Sequence, residues 1–135
     1  MIVAILQARM GSSRLPGKVM MSILGRPMLE LQIERIRRAV LIDKLVVATT
    51  ANPEDDEIEQ LCTSLNIDCF RGSEEDLLDR YYESAKQFQA DYIVRLTGDD
   101  PLTDPNLIDD MVAKMKSGSF DAVTNTIYPT YPEGL

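Results

Sequence analysis

Ile2-Val3-Ala4-Ile5-Leu6-Gln7-Ala8-Arg9-Met10-Gly11-Ser12-Ser13-Arg14-Leu15-Pro16-Gly17-Lys18 decides how the rest of the chain is read. Met1 to Leu6 is an unbroken apolar run of the kind that forms a strand buried on both faces, and the expected strand spans Met1–Gln7. Two glycines, two serines and a proline then turn the chain into a loop. Arg9, Arg14 and Lys18 make that loop cationic, and no acidic residue falls in it. A cationic, glycine-containing loop at the carboxyl end of a first strand is where an open α/β sheet binds an anion. Glycine lets backbone N–H groups close on phosphate, and arginine and lysine add charge-assisted hydrogen bonds. The two familiar phosphate signatures do not fit. A P-loop reads G-x-x-x-x-G-K-[ST], whereas five residues separate Gly11 from Gly17-Lys18 and Val19 follows. The dinucleotide fingerprint G-x-G-x-x-G is missing too.

Outward from this loop the chain alternates. Pro27–Val40 carries Leu29, Ile33, Ile36 and Val40 on one helical face. Lys44–Thr50 is a β-branched strand. Asn52-Pro53 opens a second helix, with Asp55 in its first turn, and Ile58, Leu61, Cys62 and Leu65 form its stripe. Asn66 is the expected left-handed terminator. A short strand follows over Ile67–Arg71. Ser73 and Asp76 read as a capping pair for a helix that buries Leu77, Leu78, Tyr81, Ala85 and Phe88. Tyr92–Thr97 is a fourth strand. Asp104-Pro105 starts a helix with Leu107, Ile108, Met111, Val112 and Met115 inward, and Phe120–Thr124 is a fifth strand. The alternation predicts a three-layer α/β/α domain with a mostly parallel sheet and right-handed crossovers.

With 135 residues, 44% of them hydrophobic, the chain is expected to form a single domain. Its tail, Asn125–Leu135, holds Pro129, Pro132 and Gly134 and no clear element, so the domain reads as cut at its carboxyl end. The first apolar run is too short for a membrane span. Two cysteines, Cys62 and Cys69, and no histidine argue against a zinc site, and they fit a reduced, cytoplasmic protein. Residues 1–53 hold eight Lys/Arg against three Asp/Glu, and residues 54–135 hold six against nineteen. The net charge of −8 argues against nucleic acid as a partner, while the basic amino-terminal part suits a small polyanion. Arg35, Arg37 and Arg38 read more simply as the solvated face of a helix.

Gly98-Asp99-Asp100-Pro101 follows the fourth strand, so it lies on the same sheet edge as the cationic loop. Asp-Asp-Pro is ordinary turn chemistry. Adjacent carboxylates facing a phosphate loop are also the donor set that magnesium uses together with substrate phosphates.

Ala8-Arg9-Met10-Gly11-Ser12-Ser13-Arg14-Leu15-Pro16-Gly17-Lys18 resembles the signature loop of the CMP-sugar synthetases, the acylneuraminate and Kdo cytidylyltransferases. It is most similar to the spore coat polysaccharide biosynthesis cytidylyltransferase-like proteins. The strand Val46–Thr50 and the turn Gly98–Pro101 match in order, over the amino-terminal part of the family chain. The resemblance implies a nucleotide-diphospho-sugar transferase fold. It implies CTP held by the loop, with Arg9, Gly11, Ser12, Ser13, Arg14 and Lys18 around the phosphates. Leu6, Gln7, Ala8 and Thr49 would lie near the cytosine and ribose. Arg71, Arg80 and Gly98 are matched to the pocket, Asp99 to the family's magnesium-binding aspartate with Asp100 assisting, and Arg14, Lys18 and Asp99 to catalysis. The expected reaction moves CMP from CTP to an acidic sugar with release of pyrophosphate, in polysaccharide biosynthesis. In the family a further segment completes the sugar pocket, adds a metal ligand and makes a homodimer contact. A nucleotidylyltransferase using another nucleotide, or a non-catalytic nucleotide-binding fragment, shares the same loop chemistry.

Overall fold

A computed structural model describes residues 1–128 and 131–135; Pro129 and Thr130 of the proline-bearing tail lie outside the described residues. In chain order the elements are β1 (Ile2–Gln7), a short hairpin of β2 (Ser22–Ile23) and β3 (Arg26–Pro27), α1 (Met28–Ile36), β4 (Lys44–Thr50), α2 (Asp56–Ser64), β5 (Asp68–Gly72), α3 (Leu77–Gln87), β6 (Tyr92–Thr97) and α4 (Pro105–Lys116). Single 3-10 turns cover Lys18–Met20 and Pro53–Asp55.

The four long strands form one parallel sheet in the order β5-β4-β1-β6. β1 is central because it is apolar on both faces: Val3, Ala4, Ile5 and Leu6 are all fully buried. From β1 the chain builds outward on one side through β4 and β5, then crosses back to place β6 on the other side. The crevice between β1 and β6, outside their carboxyl ends, is therefore the topological switch point where open α/β sheets bind ligands.

Residue alternation along β1 sorts the core into two layers. Ala4 and Leu6 pack with Leu29, Ile33, Ile36, Ile58, Cys62, Ile108 and Val112 from α1, α2 and α4. Val3 and Ile5 pack with Val46, Ala48, Tyr81 and Ala85, so α3 covers the opposite face.

Three expectations are corrected. The first helix ends at Ile36, and Val40 is exposed, its N–H donating to Asp109 instead of continuing the helix. Leu78 is 80% exposed, because Leu77, Tyr81 and Ala85 follow the four-residue helical spacing onto the sheet and Leu78 falls about a quarter-turn away. No strand forms over residues 120–124 among the described residues. Phe120 instead packs against Gly118 and sits 5.4 Å from Lys114 Nζ at the end of α4. β6 is consequently an edge strand of the sheet among the described residues. Asn66 does take the left-handed conformation (φ 55°), and Asp76 caps α3 by accepting from Asp79 N at 2.8 Å.

Candidate active site

The cationic loop is folded by its own backbone. Ala8 N donates to Ala48 O at 3.2 Å and extends the β1–β4 pairing by one residue. The carbonyl of Met10 then accepts from both Ser12 N (2.9 Å) and Gly17 N (2.8 Å), which closes the segment between them into a compact lobe. Gly17 turns with φ 72°, a conformation an L side chain would strain. Met10 N donates to Asp55 Oδ1 at 2.7 Å.

The acidic turn reaches the loop from the other side of the switch point. Gly98 N donates to Gln7 O at 2.7 Å. A Cβ on Gly98 would stand 2.7 Å from that oxygen and 2.9 Å from Ala8 Cβ, so only glycine allows so close an approach. α1 holds the turn in place: buried Gln32 donates from Nε2 to Thr97 O at 2.7 Å, and Arg35 Nε donates to Thr103 O at 2.9 Å. Lys18 Nζ and Asp99 Oδ2 end up 3.2 Å apart.

Between loop and turn lies a cavity of about 340 Å³. Gln7, Ala8, Arg9, Ser12, Ser13, Arg14 and Lys18 line it from the loop, with Gly98 and Asp99 from the turn. Leu15, Val19 and Thr97 also line it and were not singled out in the sequence; Thr97 could have been, as the last strand residue before the acidic turn.

The other sequence-predicted residues lie elsewhere. Leu6 is in the core beneath the site. Gly11 is on the outer side of the loop, where a Cβ would meet the Glu54 carboxylate at 2.7 Å. Thr49 is fully buried and its hydroxyl has no hydrogen-bond partner among the described residues. Arg71 is engaged by its own fold: it donates to Thr50 O, Asn52 O, Asp56 and Glu59 at 2.6–2.9 Å, and the Asp56 bond raises its pKa. Arg80 is buried, with Nη1 on Ser73 O at 3.1 Å and Nε without a partner among the described residues; burial pushes its pKa down, and the neighbouring Arg9 charge acts in the same direction. Asp100 turns its carboxylate to the Thr97 hydroxyl at 2.7 Å.

The donor set thus offers a divalent ion one carboxylate, Asp99, half exposed on the cavity wall. No cluster of three or more metal-ligating side chains occurs among the described residues. A lone carboxylate beside a cationic loop fits magnesium, which keeps most of its shell for water and ligand oxygens, and does not fit a metal caged by protein alone.

The family model described as Cytidylyltransferase matches residues 3–133. The chain belongs to the cytidylyltransferase family. It is 41% identical to the spore coat polysaccharide biosynthesis protein SpsF of Bacillus subtilis over 115 residues, 82% of this chain and 48% of that protein. Among solved cytidylyltransferase structures, one from Leptospira borgpetersenii superposes with a TM-score of 0.84 at 38% identity, covering 87% of this chain and 50% of that one. CMP:2-keto-3-deoxy-manno-octonic acid synthetase complexed with CTP superposes with a TM-score of 0.76 at 30% identity, covering 86% and 47%. The nucleotide-diphospho-sugar transferase fold expected from the resemblance is the fold observed. The chain spans about half the length of the curated relatives it matches. No helix among the described residues is long and apolar enough to cross a membrane.

Proposed function

We propose that the protein to which this chain belongs is a cytidylyltransferase that transfers CMP from CTP to a sugar, with pyrophosphate as the other product. The observation that carries the reading is the pairing of Lys18 with Asp99 across a cavity at the switch point of the sheet. Each of the two charges neutralises the other there. A triphosphate bound with a divalent cation supplies both with a stronger partner, phosphate for the lysine and the cation for the carboxylate.

In the proposed reaction a sugar hydroxyl oxygen attacks the α-phosphorus of CTP in line. The bond from that phosphorus to the oxygen bridging the β-phosphate breaks, pyrophosphate departs, and the hydroxyl proton is released to solvent. Phosphoryl chemistry of this kind depends mainly on positioning and charge neutralisation. Arg14 and Lys18 neutralise the β- and γ-phosphates, Ser12 and Ser13 hydrogen-bond phosphate oxygens, and Arg9 closes the loop side. Asp99 is the residue that would hold magnesium, which supplies charge neutralisation at the reacting phosphate when bound. Asp100 assists by fixing the turn through Thr97. The end of β1 at Gln7 and Ala8 faces the nucleoside.

The acceptor belongs to the acidic sugars used in surface or spore coat polysaccharides, a reading supported by similarity to SpsF and to the CMP-sugar synthetase bound to CTP. The enzyme acts in the cytoplasm as a homodimer, on free nucleotide and sugar. Pyrophosphate release by the full-length enzyme, measured with magnesium across CTP, UTP, GTP and dTTP and a panel of acidic sugars, tests this. Release with CTP and one acidic sugar is the expected outcome. Equal release with all four nucleotides removes the cytidine assignment, and release with none removes the enzyme.

A further inference from the structure

Asp55 lies outside the cavity, yet it holds Met10, the residue on which the cationic loop closes. It occupies the N-cap position of α2, where an aspartate ordinarily accepts from a backbone N–H of the first turn. Here its side chain makes no capping bond. The carboxylate is fully buried and points instead at the loop: Oδ1 accepts from Met10 N at 2.7 Å, and Oδ2 accepts from the Thr50 hydroxyl. Thr50 ends β4, and its hydroxyl oxygen also accepts from Asn52 N at 3.2 Å. No salt bridge to Asp55 occurs among the described residues; its two hydrogen bonds and its place at the amino end of α2 offset the burial of the carboxylate.

Met10 is the residue on which the loop closes, through the Ser12 and Gly17 amides on its carbonyl. Fixing Met10 N therefore fixes both ends of the segment that carries Ser12, Ser13 and Arg14. We propose that Asp55 is the positioning residue of the triphosphate loop, clamping Met10 to the end of β4 so that the loop is preformed for its ligand. This rests on the nucleotide reading above. It adds a residue that touches neither nucleotide nor sugar.

The test combines CTP affinity, by titration calorimetry with magnesium, and amide hydrogen exchange of the wild-type chain, Asp55→Ala, Asp55→Asn and Thr50→Val. Asp55→Ala is expected to weaken CTP binding by about tenfold or more, since small misplacements of positioning groups are costly. It should speed exchange at Met10, Ser12 and Gly17 while Val3 and Val47 in the sheet keep their protection. Asp55→Asn keeps an oxygen for Met10 N and presents an amide to Thr50, so binding should recover to within about threefold of wild type. If Asp55→Ala does not fold, Thr50→Val, which removes the hydroxyl that steadies the carboxylate and accepts from Asn52 N, should show the same local loss at the loop in smaller measure. Wild-type affinity and wild-type loop exchange in a folded Asp55→Ala or Thr50→Val chain would overturn the proposal. So would exchange that rises equally in loop and sheet. A wild-type chain that binds no CTP would defeat the nucleotide reading, and the exchange pattern would still decide the clamp.

Discussion

Arginine serves opposite purposes at the two sides of the sheet's carboxyl edge. On β5, Arg71 gives its guanidinium to two backbone carbonyls and two carboxylates and ties the strand to the start of α2. Beside β1, Arg14 is exposed on the wall of the cavity and makes no ion pair among the described residues. The residue type is the same and the sheet edge is the same. What differs is whether the neighbouring chain has already supplied the anion. A guanidinium satisfied by its own fold is structural, and one left without a partner beside a preformed cavity is available to a ligand.

Activity should separate the two arginines most strongly. In the full-length enzyme, Arg14→Ala or Asp99→Asn should lower kcat/KM by about 100-fold or more, the scale of removing one group that stabilises charge in a transition state. Arg71→Ala should leave kcat/KM of the folded enzyme within about threefold, as for a group outside the reacting geometry. Steady-state kinetics of the three variants decides it, and equal losses at Arg14 and Arg71 would erase the distinction.

Next in size is Gly98→Ala. Its Cβ would press on the Gln7 carbonyl oxygen and on Ala8, both fixed in or beside the central strand. A loss of about 1–3 kcal/mol in urea unfolding is expected from such overpacking. Arg71→Ala should lower the melting temperature by only a few degrees, since its acidic partners stay in contact with water. Leu78→Ser, on the exposed side of α3, should change stability by less than about 0.5 kcal/mol. A larger loss there would mean that the side chain is covered in solution.

The long strands could be read from the sequence because their signal is local. Lys44–Thr50 and Tyr92–Thr97 are found as expected, since β-branched and apolar runs between turn residues have few other uses. The loop could be read because charge, glycine and serine were concentrated in it. That Lys18 and Asp99 lie on one edge followed from topology, because carboxyl ends of parallel strands share it; the contact between them did not.

What could not be read was long-range. Nothing near Arg71 in sequence says that Asp56 and Glu59, a helix earlier, will claim it. The same holds for Asp55, read as a residue of a helix start and found holding a loop 45 positions away. Asp99 and Asp100 are adjacent and chemically identical. A hydroxyl on Thr97 turns one inward and leaves the other on the cavity wall. Phe120–Thr124 has the composition of a strand, but the end of α4 takes its aromatic ring.

The most direct measurement is electron density from crystals of the chain soaked with CTP and magnesium. The triphosphate is expected between the Ser12–Lys18 lobe and Asp99, with Lys18 turned from the carboxylate to a phosphate. A triphosphate seated against Arg71, or one bound while Lys18 stays paired with Asp99, would contradict it.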